Sequence, residues 1–134
     1  MATRTAEVAA QPKPQFRPAI GLLEIITAIV FIGAGSAKLL GLPFMVVVFD
    51  ALGAGQWFRY AVAVVEIVGA VALLSSSFVG FAAIALLPIM LGAAMTEIAF
   101  LRRPPVAAAL CTVALALIAW RHLPRPRPRA STDS

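Results

Sequence analysis

Four ionisable side chains, Glu24, Lys38, Glu66 and Glu97, fall inside long apolar runs. A charge in the middle of a membrane-spanning helix costs about 2.5 to 3.5 kcal/mol on insertion scales, so each needs a partner or a task. Helical spacing groups them. Glu24, Phe31 and Lys38 follow one another at intervals of seven, with Gly21, Ala28 and Gly35 beside them, which puts all of them on one face looking into a bundle. Arg59 and Glu66 are again seven apart, and Gly69 and Ala70 set small residues next to the acid. Ala93 and Ala94 stand one turn before Glu97.

Depth narrows the arrangement. At about 1.5 Å per residue, Lys38 and Glu97 lie roughly one turn, and Glu66 roughly two turns, from the same surface. Lys38, Arg59, Glu66 and Glu97 therefore converge in one half of the membrane, and Asp50 and Gln56 join them from a connecting segment. Glu24 is left alone in the other half. Two chemistries fit. In one, Lys38 and Glu66 form a buried pair that offsets desolvation and fixes helix packing. In the other, the six polar residues line a small lidded pocket with apolar walls from Phe31, Phe49 and Met90. Lys38 and Arg59 would then attract a carbonyl, a headgroup or an anion, Glu66 would orient Lys38, and Glu97 would exchange a proton. The ligand expected there is amphipathic, a quinone or a lipid. Lys38 could also snorkel outward, and Glu97 could pair at the interface with Arg102 and Arg103.

Other chemistry is poorly provided for. No Ser/His/Asp arrangement, metal-ligand cluster or Gly-rich phosphate loop stands out, and His122, the only histidine, is set beyond the last helix. A single cysteine, Cys111, excludes an intrachain disulfide and any Cys-x-x-Cys pair, and reads as a packing residue. The sequence thus carries no intrinsic cofactor, no metal site and no independent catalytic activity as expectations. The net charge of +5 arises from basic residues near the ends, without a patch interleaved with aromatics, so nucleic acid is not an expected partner.

The elements that must hold the polar groups are membrane helices. With 61% hydrophobic and 13% charged residues the chain lacks the surface of a soluble globule, and the expected fold is an all-α polytopic bundle. Four apolar runs are expected to span: 19–41, from about 58 to the Ser75-Ser76-Ser77 turn, 78–100, and a short one over 105–120. The transmembrane domain then covers 19–121, between disordered tails at 1–18 and 122–134. The first tail has no apolar core for a cleavable signal, and the second alternates Pro and Arg. Seven basic residues on the side of the tails against three on the other put both ends in the cytoplasm and the polar cluster near the outer surface. Between the first two spans, 44–52 is apolar at 44, 45, 48, 49 and 52. That spacing predicts a short helix at the interface or in the bundle mouth, with a buried extended segment as the alternative because Val46-Val47-Val48 favours strand. Pro88 predicts a kink in the third span.

These residues resemble a family, the DoxX-like membrane proteins, from about Ile20 to His122. The carriers are Gly35-Ser36-Ala37-Lys38-Leu39-Leu40-Gly41, Phe49-Asp50-Ala51-Leu52-Gly53, Gln56-Trp57-Phe58-Arg59-Tyr60, Glu66-Ile67-Val68-Gly69-Ala70, Gly92-Ala93-Ala94-Met95-Thr96-Glu97 and Ala119-Trp120-Arg121. The resemblance implies a small four-helix protein of the bacterial plasma membrane. Relatives include small subunits of quinone-linked sulfur oxidation enzymes and proteins of thiol or oxidative-stress systems. It implies an accessory or docking subunit for a membrane-associated redox enzyme, in contact with the lipid bilayer. The alternative function is a small-molecule, lipid or proton binding or transport module. The family often has His where this chain has Glu97, and with one cysteine a thiol-exchange mechanism is not carried over.

Overall fold

The computed structural model describes residues 17–123, with side chains from residue 20 onward. Most of both expected tails lies outside the described residues. Within them the chain is all-helical, in the order α1 (Arg17–Leu39), α2 (Pro43–Ala51), α3 (Gln56–Leu73), α4 (Val79–Ala99) and α5 (Val106–His122).

Breaker residues set the boundaries. α1 ends where Gly41 takes φ +64, and Pro43 starts α2, a position where its missing N–H costs nothing. Gly53 and Gly55, at φ +68 and +79, turn the chain into α3. Ser75 accepts from the backbone N–H groups of Phe78 and Val79 in the turn that opens α4. Pro104 and Pro105 precede α5. The segment that could have been buried strand is the helix α2. Its three valines are overruled because a lone strand among helices has no backbone partner, whereas a helix satisfies itself. Pro88 stands inside α4 with its side chain outward, and the helix runs on from Val79 to Ala99.

The bundle is inside-out relative to a soluble protein. Phe81 and Leu40 are each 80% exposed, whereas Glu66 is 1% and Arg59 4% exposed. Water would not tolerate that distribution, but hydrocarbon reverses the preference. α1, α3 and α4 are long and apolar enough to cross a membrane, and α5 is a shorter apolar helix. α3, with 18 residues, extends about 27 Å, close to the thickness of a hydrocarbon core. Trp57 at the start of α3 and Trp120 near the end of α5 are both 70% exposed, at opposite ends of the bundle, where amphipathic rings prefer to sit.

α1 packs chiefly on α3, and α4 chiefly on α5. The two pairs meet along α3–α4 and, more thinly, along α1–α5. Gly35 makes the first pairing close: an added Cβ there would fall 2.7 Å from Cγ1 of Ile67 and 3.0 Å from the carbonyl oxygen of Ala63. Gly69 does the same for α3 and α4, where Leu86 fills the space a side chain would take. The core of Phe31, Leu73, Leu86, Leu115 and Ile118 occupies the middle of the bundle.

Candidate functional site

The polar residues gather at the end of the bundle that carries α2. Lys38, in the last turn of α1, reaches across to α3 and donates from Nζ to both carboxylate oxygens of Glu66, at 3.0 and 2.8 Å. The small residues on both helices let the backbones approach closely enough for this. The Lys38 side chain is 12% exposed and that of Glu66 1%, so the pair is shielded together. Snorkelling is ruled out for Lys38 by this contact.

One turn from the start of α3, buried Arg59 donates from Nη1 to the backbone carbonyl of Lys38 and from Nε to Oε1 of Gln56, at 2.6 Å. The Lys38 carbonyl, in the last turn of α1, also accepts from the backbone N–H of Gly41, and the guanidinium adds a second donor there. Gly41, at φ +64, lies against the same guanidinium, where a side chain would crowd it. Arg59 also stacks over the Tyr60 ring at 4.3 Å. Gln56 then ties α2 down: its Nε2 donates to the carboxylate of Asp50 and to the carbonyl of Val46. Phe49 completes the attachment, packing on Phe58 with ring centroids 5.9 Å apart.

Five of the six candidate polar residues, Lys38, Asp50, Gln56, Arg59 and Glu66, thus form one chain of contacts from α2 through α3 to α1. Glu97 stands outside it. Its Oε2 is buried with no hydrogen-bond partner among the described residues. The expected interfacial pair with Arg102 and Arg103 is not formed, because the chain turns away after α4. Arg102 takes φ +48, the N–H of Arg103 donates to the backbone carbonyl of Glu97, and both arginine side chains are exposed.

The three candidate walls are all buried. Phe31 and Met90 belong to the central core, and Phe49 seats α2. A groove of about 390 Å³ lies elsewhere, between α3 and α4, lined by Val68, Gly69, Ala72, Phe81, Ala85 and Leu86 among others. Its lining holds no group that would fix a polar headgroup.

Sequence reasoning left Glu24 alone and set His122 aside, and the structure joins them. Nε2 of His122, the last residue of α5, lies 2.8 Å from Oε1 of Glu24 on α1. The signal available was an unpaired acid at the end of the bundle where the only histidine also falls.

The hub position of Gln56 gives a direct test. Replacing it by Leu removes the ties to Val46 and Asp50 and leaves the Arg59 Nε unpaired. At about 1 to 3 kcal/mol for a buried group left unsatisfied, amide exchange in α2 should accelerate about fivefold or more, while α4 and α5 keep wild-type protection. Hydrogen exchange in detergent checks it. Unchanged exchange in α2 would mean that Gln56 does not hold that helix.

Comparison with known proteins gives one result. The sequence model of the DoxX-like family matches residues 22–121. No curated protein and no solved structure matches the chain.

Proposed function

The chain belongs to the DoxX-like family, and from that premise we propose that it is an accessory or docking subunit for a membrane-associated, quinone-linked oxidoreductase. In this reading it is a multi-pass protein of the bacterial plasma membrane. α5 is the fourth span, α2 lies at the outer interface, and both termini are cytoplasmic. The basic imbalance between the two sides supports that orientation.

The observation that carries the docking reading is that the polar groups bond to one another. Each of Lys38, Glu66, Arg59, Gln56 and Asp50 has a hydrogen bond to another of them or to a backbone carbonyl, and together these bonds tie α2 and α3 to α1. A site built to bind or transform a ligand directs its convergent polar groups at the ligand. A belt bonded to itself instead fixes one arrangement of α1, α2 and α3, which is what a partner's docking face needs.

The second reading, a lipid, small-molecule or proton binding module, is favoured by one specific feature. The buried Oε2 of Glu97 has no partner among the described residues, and a polar atom in that condition is costly. Purification in mild detergent from native membranes separates the two. The docking reading expects a second protein in one-to-one amount carrying quinone-linked redox activity. Recovery of the chain alone, with quinone or lipid bound, would replace it by the second reading.

A further inference from the structure

The contact between Glu24 and His122 stands apart from the polar belt, at the opposite end of the bundle. It joins α1 to α5 across a seam far thinner than α1–α3 or α4–α5, with the side chains 19% and 32% exposed. Its place in the fold is tightly defined. A side chain at Gly80, near the start of α4, would come within 3.1 Å of the His122 Cβ, so the histidine sits at the junction of α1, α4 and α5 and would be crowded by an added methyl.

We propose that Glu24 and His122 form a proton-operated clasp that closes the α1–α5 seam at the end of the bundle where the chain enters and leaves. The inference goes beyond the docking reading and does not depend on it. The chemistry begins with the imidazole, whose charge ordinarily changes between about pH 5 and 8. With the ring protonated, Nε2–H to the carboxylate is a charge-assisted bond, roughly twice as strong as a neutral one. With the ring neutral, the attraction between opposite charges is lost and a single hydrogen bond remains, with water close by as the competing partner. The clasp is therefore tight at low pH and loosens as pH rises.

Little else in the neighbourhood can answer to pH. From Ile67 to Thr96, which takes in the end of α3, the serine turn and nearly all of α4, the sequence contains no ionisable side chain. On α5 the neighbouring charge is Arg121, which stays protonated. On α1 the facing group is Glu24 itself. Protons acting on the described part of this end therefore act through this pair.

The seam has a reason to respond. α1 and α5 share few contacts, whereas each packs closely on its own neighbour, so the pairs α1–α3 and α4–α5 can part along this line without disrupting either. Behind the clasp lie Ala28 and Phe31 of α1 and Leu115 and Ile118 of α5. Opening there would admit a lipid-borne group sideways to the core.

The test uses the full chain in liposomes with Cys111→Ala. Spin labels are placed on cysteines substituted at Leu22 and Leu123, both exposed and flanking the pair. Dipolar electron paramagnetic resonance at pH 5.5 and pH 8 should give a short, narrow distance distribution at the lower pH and a longer, broader one at the higher. His122→Gln should hold the broad distribution at both values, and Glu24→Gln provides the same test from the other helix. A label pair at Leu39 and Trp57, at the α2 end, should not respond. A distribution that is the same at both pH values in the unsubstituted clasp, or a pH response that survives both substitutions, would overturn the proposal.

Discussion

Lys38→Met should destabilise the bundle by about 3 to 5 kcal/mol, the cost of leaving a buried charge without its partner. Glu66 is 1% exposed, and both of its oxygens take their hydrogen bonds from the Lys38 ammonium, so the substitution removes the cation to which the whole carboxylate is bonded. Glu66→Gln strands the cation instead, but Lys38 keeps 12% exposure and a flexible stem, so the loss should be smaller. The double variant should recover a substantial part of the sum, because a neutral pair no longer carries the desolvation penalty. Unfolding in detergent across the four proteins gives the coupling directly. Strictly additive losses would remove the pair from the account.

The second large effect concerns backbone approach. Gly35→Ala should cost about 1 to 3 kcal/mol, the usual penalty for overpacking. Ile67 can rotate away from the new methyl, but the Ala63 carbonyl belongs to a helix and cannot, so α1 and α3 must separate. Separation also stretches the Lys38–Glu66 contact, which adds to the loss. Gly33, two residues earlier, has nothing within 4 Å of an added Cβ. Gly33→Ala should therefore stabilise α1 by about 0.5 to 1 kcal/mol, the helical gain of alanine over glycine. Equal effects of the two substitutions on the melting temperature would show that close packing at Gly35 is not what joins the helices.

The sequence made the Lys38–Glu66 pair legible because depth and facing could be read from spacing and small neighbours. The same counting put Glu97 at a similar depth and failed to find its surroundings. Depth follows from 1.5 Å per residue, but which way a residue looks around the axis also depends on how α4 packs on α5, and α4 is apolar on nearly all sides. Phe31 and Met90 belong to the central core, and bulky apolar residues near a polar cluster read equally well as pocket wall and as core. Glu24 and His122 were missed because the last span was ended at Trp120, whereas α5 continues to His122 and brings the ring back over α1. α2 was readable from its apolar spacing, and its glycine boundaries are the residues able to take positive φ without strain.

The proposed docking role requires that the polar belt be structural. The most direct measurement is partner recovery by the uncharged double variant Lys38→Met/Glu66→Gln, expressed in the native membrane and purified in mild detergent. If the proposed docking role holds and the belt only fixes helix packing, a redox partner copurifies with the folded double variant in the same one-to-one amount as with the wild type. A double variant that folds and inserts normally but loses the partner, or loses a quinone or lipid that the wild type retains, would contradict the account and place Lys38 and Glu66 in the binding chemistry itself.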